Sequence, residues 1–117
     1  MDPVTGLSLG RVAIGAAALA SPAFSTKMFR LDGASNPQLA YMVRMFGSRE
    51  VALGVLTLMA RGSARRSFVS AGIAVDLADA VAGVLAARDG SVTKPTGAFL
   101  AAPAVAAVVA GVAGSRT

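Results

Sequence analysis

Apolar positions along the chain gather into four long stretches, with Gly, Pro, Ser and charged residues between them. They run from about Val4 to Ala23, from just after Asn36 to about Ala60, from about Ser67 to Ala87, and from about Pro95 to Gly114. Each has roughly the 20 residues that an α-helix needs to cross the hydrocarbon core of a bilayer. The pattern predicts an all-α chain, a four-transmembrane-helix bundle with short loops that forms a single domain over residues 1–117. No internal repeat or low-complexity tail interrupts it. The first stretch ends in the Ser21-Pro22 pair, and Pro37 suits the first turn of the second. Pro103 falls inside the fourth, where a membrane helix tolerates a kink.

Between the first two stretches, Phe24, Met28, Phe29 and Leu31 alternate with Lys27, Arg30 and Asp32. That spacing predicts a short interfacial helix at headgroup level. A secretory signal peptide is the rival reading of the N-terminus, because Arg11 precedes an apolar run and Ala18-Leu19-Ala20 has a small-x-small form. The acidic Asp2 and the single basic residue make a poor leading region for one. The second connection, Arg61 to Arg66, is short and densely basic, which places it and both termini in the cytoplasm by the positive-inside rule. Lys27, Arg30, Arg88 and Lys94 lie on the opposite face, so the density of charge sets this orientation rather than the number.

Composition strengthens the membrane assignment. Of 117 residues 55% are hydrophobic and 15% charged, with a mean hydropathy of +0.66, more apolar surface than a soluble domain of this size can bury. Aromatic residues make up 5%, and 13 Gly leave smooth helices that approach closely, as membrane helices do. Gly6 and Gly10 form a GxxxG match read as helix packing, and the five Met read as gap-filling core. Cysteine and histidine are both absent, which removes disulfides, thiol nucleophiles, imidazole acid–base chemistry and thiolate or imidazole metal sites. No metal and no cofactor is expected. The net charge of +5 is divided among loops and apolar segments rather than gathered in a solvated stripe, so nucleic acid is not an expected partner.

The informative residues are the charges inside the apolar stretches: Arg11, Arg44, Arg49, Glu50, Asp76 and Asp79. Each costs about 2.5–3.5 kcal/mol near the bilayer centre. Three are positive and three negative, as expected of one neutral network in the bundle interior. Counting about 1.5 Å of rise per residue puts Arg11, Arg49, Glu50 and Asp76 roughly 16–18 Å below the face of the first loop, and Asp79 and Arg44 at about 9–12 Å. Two tiers are expected, Asp79 with Arg44 above, and Asp76 with Glu50, Arg11 and Arg49 below.

Helical spacing aligns Ser8, Arg11, Gly15 and Ala18 on one face. It aligns Gly72, Asp76, Asp79 and Gly83 on a second, and Arg44, Gly47, Glu50, Val51 and Gly54 on a third. Glycines beside the acids, Gly47 and Gly72 among them, leave room for a neighbour or a ligand. Arg49 points about 100° away from Glu50 and is expected to address a different neighbour.

The segment Arg44-Met-Phe-Gly47-Ser-Arg49-Glu50-Val-Ala-Leu-Gly54, read as R-x-x-G-x-R-E-x-x-L-G and followed one helix later by Asp76 and Asp79, resembles a family of small bacterial four-helix integral membrane proteins classed as a domain of unknown function. The resemblance implies the fold, implies that Arg44, Gly47, Arg49, Glu50 and Asp76 belong together, and brings no established activity. A bacterial inner or plasma membrane is the matching location.

Function is open among three classes. The first is acid–base catalysis on a lipophilic small molecule, by epoxide opening, cyclisation or isomerisation, in a membrane-embedded hydrolase, cyclase or isomerase. There Asp76 is the ionised base oriented by Arg49 or Arg11, and Glu50 is the neutral acid, because neighbouring carboxyls in a dry site do not both ionise easily. Arg44, Asp79, Gly47 and Gly72 would shape the binding site. The second class is a proton-coupled transporter or channel, since intramembrane carboxyls carry protons. The third is an accessory subunit of a larger membrane complex, or a homodimer, in which the ions only fix helix register. An apolar pocket touching Asp76 and Glu50 favours the first, a water-filled path the second, and solid packing the third.

Overall fold

A computed structural model describes residues 2–115 of the chain, the side chains of residues 99, 100, 103 and 115 excepted. The described residues are all-helical, without a strand: α1 (Pro3–Ala20), α2 (Pro22–Met28), α3 (Leu39–Met59), α4 (Gly62–Arg88) and α5 (Lys94–Ser115). Two of them, α1 and α4, are long and apolar enough to cross a membrane. The α3 helix has 21 residues but carries Arg44, Arg49 and Glu50 among them. The α5 helix has 22, continues through Pro103, and carries Lys94 as its one charged residue.

Local chemistry explains the boundaries. Asp2 caps α1 by accepting from the Thr5 backbone N–H at 2.9 Å, with Pro3 opening the helix. That N–H bond, opposed by desolvation and aided by the Thr5 hydroxyl and Arg65, holds the Asp2 carboxyl below its ordinary range. Ser21 ends α1 through its backbone N–H to Ala17 O and starts α2 through its hydroxyl, which accepts from Phe24 N–H at 3.3 Å. The first predicted stretch is therefore split at Ser21 instead of reaching Ala23. Arg30 then takes φ 59°, and Leu31 N–H closes back on Thr26 O at 2.8 Å.

Two further boundaries and the burial of α2 depart from expectation. Pro37 does not open α3. It lies in a preceding turn in which Leu39, Ala40 and Tyr41 N–H groups bond Asn36, Pro37 and Gln38 carbonyls, and α3 begins at Leu39. The basic segment 61–66 is mostly helix rather than loop, because Gly62 at φ 60° reverses the chain at once and Ser63 to Arg66 continue into α4. In α2 the buried residues are Ser25 and Thr26, while Phe24 and Met28 face outward.

Packing joins α1 to α3 and α4 to α5 most extensively, with lighter contact between α1 and α5 and between α3 and α4. The α1/α3 contact rests on glycine. A Cβ at Gly15 would lie 2.6 Å from Gly47 O, and one at Gly47 would lie 2.7 Å from Gly15 O. The backbones thus touch where a side chain would have stood. Gly83 and Gly97 play the same part for α4 and α5. Gly6 and Gly10, in contrast, are exposed, and a Cβ at Gly10 would meet nothing within 4 Å, so Gly10 makes no close helix contact among the described residues.

The buried positions are rich in polar groups. Among the described residues Ser8, Arg11, Ser25, Thr26, Glu50, Thr57 and Asp76 are buried, against Val4, Ala18, Val43 and Ala104 among the apolar side chains. Leu77, Val81, Val84 and Leu85 of α4 are 51, 56, 50 and 53% exposed, so its apolar surface is turned outward rather than spent on a core. Met28, Met42, Met45 and Met59 also face outward, which removes them from the core they were expected to fill.

Candidate functional site: a five-membered ion network on an apolar cavity

The buried stripes of three helices converge. Ser8, Arg11, Gly15 and Ala18 of α1, Gly47, Glu50 and Gly54 of α3, and Gly72, Asp76 and Gly83 of α4 are buried as their spacing predicts. Arg11 extends from α1 between the two helix pairs. Its Nη1 donates to Glu50 Oε2 at 2.7 Å, and its Nη2 donates to Asp76 Oδ2 and to Gly72 O, the latter at 3.4 Å. A Cβ at Gly72 would lie 3.1 Å from Arg11 Nη2, so the missing side chain lets the guanidinium rest against the α4 backbone.

Arg49 supplies the second link. Its Nη2 donates to Glu50 Oε1 at 3.1 Å and to Asp79 Oδ2 at 2.7 Å, while its guanidinium lies 5.3 Å from the centre of the Phe46 ring. The network is thus a chain of alternating sign: Asp76, Arg11, Glu50, Arg49, Asp79. Two expectations are corrected by it. Arg49 reaches a different neighbour, Asp79, as expected, but it also turns back to Glu50, because a side chain of that length is not bound by the angle of its Cβ. Arg44 does not join Asp79. The buried stripe of α3 is Val43, Gly47, Glu50, Gly54 and Thr57, and Arg44 stands one residue off it, exposed and without an ion pair among the described residues.

Gly47, expected to shape a binding site, is a contact between α1 and α3, whereas Gly72 serves the network directly.

One wall of a cavity of about 380 Å³ is made by Arg11, Glu50, Asp76 and Asp79. Every other lining residue is apolar: Leu7 and Ile14 from α1, Phe29 after α2, Phe46 from α3, and four alanines from α5, Ala104, Ala106, Ala107 and Ala110. Phe29 and Phe46 meet edge to face at 5.7 Å and 82° and form the wall next to Arg49. Ile14 and Ala106 are exposed, so the cavity reaches the surface along the seam between α1 and α5.

Sequence reasoning missed these apolar walls. The one usable signal was Phe46, which stands a helical turn before Glu50.

The acids bind the guanidiniums unequally. Glu50 uses both oxygens, one for each Arg. Asp76 and Asp79 each use Oδ2 only. No buried side-chain N or O among the described residues lacks a partner. Asp76 Oδ1 accepts no hydrogen bond among the described residues, and Asp76 is part of the cavity lining. With every group ionised the three acids and two arginines leave a net charge of −1. No three Asp or Glu side chains among the described residues are arranged to hold a metal ion. No family model, curated protein or solved structure matches this chain.

Proposed function

We propose that the chain is an integral membrane protein whose α1, α3, α4 and α5 cross the bilayer, with α2 at the interface and both termini on the cytoplasmic side. In this reading the five-membered network is an acid–base site acting on a lipophilic small molecule. The inverted burial supports the membrane setting: Arg11, Glu50 and Asp76 are inside while the apolar face of α4 is outside, the arrangement for which lipid is the suitable solvent. Asp2 pairs with Arg65 and α5 ends beside Val4, so the two chain ends share one end of the bundle with Arg61 and Arg66.

One observation carries the function: carboxyl groups with unused oxygens line an apolar cavity, and their network is one positive charge short of neutral. In a medium of low dielectric that deficit is met by a proton. Glu50, bound by both guanidiniums, is the charge anchor, so the proton belongs to the Asp76 and Asp79 pair. The roles expected from sequence change accordingly, with Glu50 giving up the acid's part. These aspartates are neighbours at i and i+3, roughly 5–6 Å apart at Cβ. One gives its proton to an oxygen or alkene carbon of the ligand while the other accepts one from water or from a C–H bond. Epoxide opening, cyclisation and isomerisation share this economy, since the pair ends with the proton count it began with.

Replacing the acids by amides tests the proposal. Asp76→Asn and Asp79→Asn in nanodiscs are expected each to lower turnover of a lipophilic epoxide or polyene by at least about 10²-fold, the range of a lost general acid or base. Turnover that survives both changes sinks the reading.

A further inference from the structure

The cavity also restricts what its ligand is. Polar side chains reach the cavity from Arg11, Glu50, Asp76 and Asp79 alone; the rest of its lining, Leu7, Ile14, the Phe29 and Phe46 pair and the alanines of α5, is apolar. A molecule with polar groups at both ends would strand one of them against hydrocarbon, at a cost of about 1–3 kcal/mol or roughly 5- to 150-fold in affinity. Volume sets a second limit. A cavity of about 150 Å³ takes benzene, so the same density in about 380 Å³ gives about 15 non-hydrogen atoms.

The proposed function adds a third condition, on which the inference rests: a network already neutralised by a proton has no use for a cationic ligand. We infer that the ligand is a single-headed neutral lipophile of about 15 non-hydrogen atoms or fewer within the cavity. Its one oxygen function meets Asp76 and Asp79, its hydrocarbon body lies along Ala104, Ala107 and Ala110, and it enters from the bilayer between α1 and α5. Apolar burial contributes little to selection there, because the ligand leaves lipid that is as apolar as the cavity. The head group decides.

Native mass spectrometry of the full chain released from nanodiscs tests this with three named probes: dodecanol, the dodecane diol with a hydroxyl at each end, and dodecylamine. The expected result is a one-to-one dodecanol adduct about 10-fold or more above the diol adduct, with dodecylamine no better than dodecanol. Ala107→Phe, and more mildly Ala107→Leu, should remove the dodecanol adduct by filling the cavity. Equal retention of the diol, or an adduct that survives both Ala107 variants in folded protein, overturns the inference. Dodecylamine bound about 10-fold more tightly than dodecanol also overturns it, because the network would then take a cation where a proton was placed. These adducts need no turnover. A dodecanol adduct with the expected selectivity, together with epoxide turnover that survives Asp76→Asn and Asp79→Asn, would retire the acid–base reading and leave the ligand class standing.

Discussion

Arg49 joins Asp79 at 2.7 Å across the α3/α4 seam, and both side chains are about one-third exposed, at 37 and 35%. At the other end of the same network, the Arg11 and Asp76 pair is nearly dry, at 8 and 5%. The two aspartates are therefore unequal in stability terms although they stand one turn apart on α4.

Asp76→Ala should destabilise the fold more than Asp79→Ala. Removing the deep acid leaves Arg11 half-paired in the interior, where breaking a buried pair costs about 3–5 kcal/mol. Removing Asp79 strands a guanidinium that still binds Glu50. Thermal unfolding in detergent measures the difference, and equal losses would mean that the two ion pairs are equally buried in solution.

Glycine substitutions should separate packing from coincidence. Gly47→Ala places a methyl against Gly15 O and is expected to cost about 1–3 kcal/mol as α1 and α3 are pushed apart. Gly10→Ala, with open space around it, should be neutral or stabilising by up to about 1 kcal/mol. Melting temperatures of the two variants, measured side by side, check both signs.

The ends of the bundle should loosen in acid. Asp2 is held below its ordinary range chiefly by the Thr5 backbone N–H, and Asp89 by the Ser91 hydroxyl and N–H. A depressed folded value means stability that is present above the unfolded value and is lost as pH falls through the folded one, here below about pH 4. Protection of the first-turn amides of α1 against hydrogen exchange, taken relative to the unstructured chain at each pH, should fall in that window, and Asp2→Asn should remove that fall. Protection that does not change with pH in the unaltered protein contradicts it.

The helical faces were legible in the chain because burial follows Cβ direction. Ser8, Arg11, Gly15 and Ala18, and likewise Gly72, Asp76 and Gly83, are buried as their spacing requires. Matched depth brought Arg11, Glu50 and Asp76 together for the same reason. What Cβ direction does not hold is the reach of a long side chain, and so the Arg49 and Glu50 contact was hidden, as was the exposure of Arg44. The boundaries at Leu39 and Gly62 were set by a turn around Pro37 and by one positive φ, neither of which appears in hydropathy. The cavity was illegible because it is made by the gap between two helix pairs, and alanines that line a space read the same as alanines that fill one.

The proton assigned to the aspartate pair is the centre of the functional account, and infrared spectroscopy at neutral pH observes it directly. The account predicts a carbonyl stretch of one neutral carboxylic acid in the folded protein, shifted by deuterium exchange and abolished by the double change Asp76→Asn with Asp79→Asn. A spectrum showing only carboxylate bands at neutral pH would contradict it, leaving a static ion network with no proton to transfer.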